Sequence, residues 1–111
     1  MTAVKIKGNV GITGYGTGRI LVDSVNGTIV ELNDGSNSFY AKTVTVRNVG
    51  SAGDIQTLVN CNDTQWASLS GQSILVGSGE GFVFRSDGAP PIYSVIVKSV
   101  STDTEVIIGA F

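Results

Sequence analysis

The rhythm of the apolar residues constrains this chain more than anything else in it. KTVTVRNVG, DIQTLVN, SILVGSGEGFVFRS, PIYSVIVKSV and TEVIIGAF each carry a short apolar or alternating run that stops at a cluster of Gly, Asn, Asp or Ser. Runs of that length bounded by turn residues are how strands joined by tight connections are written. No stretch repeats its apolar residues every 3.6 positions between capping residues, so no long helix is expected. About eight strands at this spacing fit an all-β fold, an antiparallel β-sandwich of jelly-roll type, better than a sheet with crossover helices.

The chain has 111 residues, one domain's worth. A domain of that size buries roughly 65% of its unfolded surface, enough for a single core. Seven basic and nine acidic residues leave a formal net charge of −2. No positive field gathers phosphates, so nucleic acid is not an expected partner. Only 14% of residues are charged while 41% are apolar. A small monomer normally carries more charge than that, and part of the surface is expected to be covered by a partner.

Cys61 is the only cysteine and there is no histidine. A disulfide framework and a zinc site of cysteines are both excluded, and no metal or cofactor is expected. MTAVKIKGNV lacks the apolar core of a secretory signal, and no apolar run nears the roughly 20 residues that cross a bilayer. The expectation is a soluble chain made in a reducing compartment, with no membrane partner.

The pattern divides near residue 40. Residues 1–39 are the looser part. VKIKGNV alternates like a strand, GITGYGTG is Gly-rich, and RILVDSVNGTIVEL reads as two short strands around Asn26 and Gly27. Asn-Gly predicts a type I′ hairpin there, because both central positions of that turn need positive φ. NDGSNS, residues 33–38, then separates this N-terminal β-arm from a sandwich over residues 40–111. Val4, Ile6, Val10 and Ile12 would form the arm's apolar face, either reaching a partner's sheet edge or closing the domain's own sheet.

Within the sandwich, Val44, Val46 and Val49 mark one strand face, with Thr43, Thr45 and Asn48 on much of the other. Residues 54–60 give the next strand, and CNDTQWASLSGQ reads as a long polar loop that could hold a short edge strand. Gly77, Gly79 and Gly81 permit a sharp corner between sheets, between strands at residues 73–76 and 81–85. Pro90 and Pro91 force extended backbone ahead of a strand with Ile92, Val95 and Val97. A last strand covers residues 105–111. Phe39, Phe82, Phe84 and Val95 are expected in the core.

The chemistry-bearing residues do not assemble into a known set. Neither Gly14, Gly16 and Gly18 nor Gly77, Gly79 and Gly81 satisfies a dinucleotide or P-loop pattern, so turns account for both. Asn33, Asp34, Ser36 and Asn37 lack the closing Glu of an EF-hand loop. Asp54, Asp63 and Asp87 all fall at predicted strand ends, where three carboxylates could converge on a cation. Ser99 and Lys98 are adjacent and point to opposite faces of a strand. Glu80 and Asp87 could serve as a glycosidase pair, although nine acids make some such pair inevitable. Without histidine, Ser-His and Cys-His nucleophiles are impossible, and an enzyme is not expected.

Tyr15, Tyr40, Tyr93 and Trp66 are the candidate contact aromatics. Trp66 stands out in its polar surroundings, either as an interface or sugar-stacking residue or as a cover over one end of the sandwich.

VTVRNVG, a strand and polar loop, SILVGSGEGFVF and IYSVIVKSVSTDTEVII follow in an order that resembles the small jelly-roll capsid decoration, or cement, proteins of tailed bacteriophages. The resemblance covers residues 42–111. It implies a non-enzymatic virion protein on the capsid surface, made in the host cytoplasm. Its partners would be the major capsid protein and itself, often as a homotrimer, with Val4, Ile6, Val10, Ile12, Tyr15 and Trp66 as candidate interface residues. The alternative is a carbohydrate- or receptor-binding sandwich from a tail fibre or surface protein, with Trp66 and a tyrosine as stacking platform.

Overall fold

A computed structural model of the chain describes residues 2–5, 16–32, 41–51, 53–87 and 91–111; the side chains of residues 2–5 and 16–19 are not described. Nine strands are present among them: β1 Thr2–Lys5, β2 Gly16–Val22, β3 Thr28–Glu31, β4 Thr43–Asn48, β5 Ile55–Val59, β6 Ile74–Val76, β7 Gly81–Arg85, β8 Ser94–Ser99 and β9 Thr104–Ala110. They form two sheets, ordered β1-β3-β8-β5-β6 and β2-β9-β4-β7. β1 runs parallel to β3; every other pairing is antiparallel. Successive strands from β2 to β9 alternate between sheets except β5 and β6, which is the doubly wound Greek-key order of a jelly roll.

The alternation read in the sequence fills the space between the sheets. β4 turns Val44 and Val46 inward, β9 turns Val106, Ile108 and Ala110 inward, and Val22, Val30, Ile55, Val76, Val95 and Val97 complete the main core. Thr57 also points inward from β5, and its hydroxyl is buried without a hydrogen-bond partner. Gly77 to Glu80 carries the chain from β6 in one sheet to β7 in the other, the expected corner between sheets. Gly79 takes φ +79° there, a conformation open to glycine at little steric cost.

Four sequence expectations are corrected. The Asn26-Gly27 hairpin does not form: β2 pairs with β9, β3 pairs with β8, and the two lie in different sheets. Gly27 has φ +73° but Asn26 is not in the positive region, so the type I′ requirement is only half met. The Asp23 carboxylate instead accepts hydrogen bonds from the Val25 and Asn26 amides and shapes residues 23–27 into a crossover. It follows that residues 16–31 are no arm, since they supply a full strand to each sheet.

The polar segment after β5 is a helix rather than a loop or edge strand. α1 spans Asp63–Leu69 and runs into a 3-10 turn at Ser70–Gln72. Asn62 accepts from the Gln65 amide at 2.8 Å while the Gln65 side chain accepts from the Asn62 amide at 3.0 Å. This reciprocal capping box satisfies two donors that a helix start leaves open.

Asn48 falls on the other face than expected, and Phe82 faces inward but is less buried than expected. Asn48 follows Val44 and Val46 inward and is fully buried. Its Nδ2 donates to the carbonyls of Gly53 at 3.0 Å and Val76 at 3.1 Å, and its Oδ1 accepts from the Gly50 amide at 3.0 Å. The strand period placed it inward, and these three bonds make the position tolerable for an amide. Phe82 belongs to an edge strand and stays partly in water, as described below.

Candidate interaction surface

One end of the sandwich is knitted shut by polar contacts. Around Asn48, the Ser78 hydroxyl donates to the Gly50 carbonyl, and the Val100 amide donates to the Asp54 carbonyl at 3.0 Å. Ser99 and Thr104 hydroxyls both donate to the Thr102 carbonyl and lie 3.2 Å apart. The loops after β4, β6 and β8 are thereby tied to one another.

Carboxylates do not converge as a trio. Asp54 precedes β5 at this closed end, whereas Asp63 opens α1 after β5 and Asp87 follows β7, both at the opposite end. Glu80 and Asp87 flank β7 from its two ends, roughly 20 Å apart along an extended strand, so they cannot straddle one glycosidic bond. Among the described residues, no three His, Cys, Asp or Glu side chains gather as metal ligands. Ser99 and Lys98 face opposite sides of β8, Ser99 buried and Lys98 half-buried.

Trp66 is 9% exposed and packs with Cys61 and Ile96, flanked by Ile29 and Leu58. These residues lie on the outer face of the five-stranded sheet, and α1 covers it there. Its burial removes Trp66 as an exposed stacking platform. Burial also raises the Cys61 thiol above its ordinary range, with the Asp63 charge adding in the same direction. Ile6, Val10, Ile12, Tyr15, Phe39, Tyr40 and the Asn33–Asn37 cluster lie outside the described residues. Val4 sits in β1, in register with Val30 of β3.

On one flank of the sandwich the terminal strands leave apolar side chains exposed, Leu75 on the outer face of the five-stranded sheet, Val83 on the outer face of the four-stranded sheet and Phe82 at the rim between the sheets. β6 and β7 are the last strands of their sheets on the same side of the sandwich, joined by the Gly77–Glu80 corner. Leu75 on β6 is 61% exposed, Val83 on β7 is 45% exposed and Phe82 is 36% exposed. Phe82 and Phe84 stack edge to face, with centroids 4.9 Å apart. Phe84 reaches the main core, and Phe82 remains at its rim. The aromatic content of GFVFR signalled burial correctly; that the burial is incomplete follows from the strand's place at an edge, which local sequence does not reveal.

No family model matches the sequence, and no curated protein does. Solved structures resemble it in fold. A de novo designed double-stranded β-helix aligns over 85% of this chain and 95% of its own, at TM-score 0.51 and 13% identity. An HTH_3 family transcriptional regulator from Vibrio cholerae aligns over 89% of this chain at TM-score 0.50 and 12% identity, and hydroxypropylphosphonic acid epoxidase from S. wedmorenis over 87% at 0.46 and 10%. The chain spans 44% and 42% of those two longer proteins. None of the three is a capsid decoration protein. With the strand order above, the similarity to the designed protein makes this chain a double-stranded β-helix in fold.

Proposed function

We propose that the chain is a structural virion protein, a capsid decoration protein that binds the outside of the major capsid lattice as a symmetric homo-oligomer and stabilises it. The observation that supports the reading is the exposure of Leu75, Phe82 and Val83 on the terminal strands β6 and β7 of a chain with only 14% charged residues. A protein that staples neighbouring subunits together needs contact area rather than chemistry, and exposed apolar side chains beside strand edges supply it. The role is non-enzymatic: it uses shape and surface.

The test is a count. In purified particles of the virus that carries the gene, peptide mass spectrometry against the major shell protein gives the copy number. Hundreds of copies, near the stoichiometry of the lattice, are expected. A handful of copies would assign the chain to a tail or fibre, and none at all would refute a virion role.

A further inference from the structure

The flank contains one strand edge that is built to take a partner. β7 is the terminal strand of its sheet, and among the described residues nothing pairs with its outer edge. The Ser86 amide donates to the Lys42 carbonyl and the Asn48 amide donates to the Glu80 carbonyl, each at 2.9 Å. Antiparallel ladders alternate, so the even-numbered residues of β7 bond to β4, whereas Gly81, Val83 and Arg85 aim their N–H and C=O groups away from it. The same alternation is visible across β4, where Thr43 exchanges bonds with Phe111 on the β9 side.

We propose that a second copy of the chain pairs with this edge, antiparallel, about a two-fold axis through Val83, joining the two four-stranded sheets into one continuous sheet. The sequence GFVFR is self-complementary in that register. Val83 meets its own symmetry mate, Phe82 meets Phe84, and Gly81 meets Arg85, so no like charges oppose one another. The outward N–H and C=O groups of Gly81, Val83 and Arg85 then make about six main-chain hydrogen bonds across the axis. Phe82 and Phe84 face the sandwich interior, so pairing extends the core across the junction and covers the rim that is now wet.

The other edges are poorer candidates. β6 has three residues and β1 has four, while β2 carries Gly16 and Gly18, which weaken a strand. β7 has five residues, no proline and three consecutive apolar side chains. Edges of this kind are paired or blunted in stable proteins.

The inference rests on the proposed function only in requiring a homo-oligomer. A dimer that binds no shell leaves it standing; a trimer that binds shells overturns it alone. The experiment is sedimentation velocity of the full chain across a concentration series, with Val83→Lys, Val83→Glu and Val83→Pro variants. The wild-type chain is expected to approach twice the chain mass. Each charged variant places like charges on the axis and is expected to weaken association at least tenfold, and mixing the Lys and Glu chains is expected to restore it. Val83→Pro removes only an N–H that faces away from β4, so it is expected to keep the native Trp66 fluorescence while failing to dimerise. A chain that stays monomeric, a trimer, or a dimer indifferent to Val83→Lys would overturn the inference; if Val83→Pro fails to fold, the charge-swap pair still decides.

Discussion

Replacing Asn48 tests how far a single side chain holds the closed end together. Asn48→Ala deletes two donated and one accepted hydrogen bond, all at 3.0–3.1 Å and all made by a residue with no exposed surface. At about 1 kcal/mol net per bond the loss is about 3 kcal/mol, rising toward 5 if the Val76 carbonyl is left unsatisfied. A domain of this size has about 5–15 kcal/mol in total, and the melting temperature should fall by about 4 °C per kcal/mol lost. Urea unfolding followed by the fluorescence of Trp66, the only tryptophan, reads the change as a lower midpoint at constant slope.

Asn48→Asp sharpens the test because shape is kept and charge is added. The new carboxylate would face the Gly53 and Val76 carbonyl oxygens, so its ionised form is disfavoured in the folded state and its folded pKa lies above the unfolded value of about 3.9. The penalty is therefore smallest below that pH. It grows by about 1.4 kcal/mol per pH unit until the folded pKa is passed. A loss under 1 kcal/mol for Asn48→Ala, or an Asn48→Asp penalty that does not change with pH, would refute the reasoning.

Thr57→Val removes a buried hydroxyl that has no partner while keeping its shape, and should stabilise the chain by about 1 kcal/mol in the same urea assay. Trp66→Ala should cost about 3 kcal/mol by stripping α1 from the sheet beneath it, and Asn62→Ala about 1 kcal/mol by removing the cap; circular dichroism melts check both. The Cys61 thiol, buried and raised in pKa, should react with a chromogenic disulfide at least tenfold more slowly in native buffer than in urea. The Asp23 carboxyl is held below its ordinary value by the Val25 and Asn26 amides, so its contribution is present above the unfolded pKa and disappears as pH falls through the folded one. Carboxyl NMR titration should place its midpoint below 3.8, and Asp23→Asn should remove that part of the acid dependence.

Much of the sandwich was legible because alternation is a direct imprint of a half-buried strand. Val44, Val46, Val95, Val97 and the corner at Gly77–Gly81 fell where that logic placed them. The hairpin at Asn26-Gly27 misled because a local turn signal says nothing about which sheet receives the next strand. Helix α1 has only Trp66 buried, so an apolar period never develops; the legible signal was Asn62 followed by Gln65 three positions later. Asn48 shows the opposite case, a polar residue that strand parity sends inward and the surrounding carbonyls accept. The exposure of Leu75, Phe82 and Val83 was hardest to read, because an edge strand and a central one carry the same local pattern, and only the order of strands tells them apart.

The pairing of the second strand with the last one has a consequence for synthesis. β2 lies beside β9, with Gly16 opposite Ala110, and β3 lies beside β8. Neither sheet can close until residues 94–110 have left the ribosome. At roughly 5–20 residues per second, β2 waits roughly 5–20 s for its partner. β2 must survive that interval without its partner, so the decisive step of folding comes only after β8 and β9 have been made.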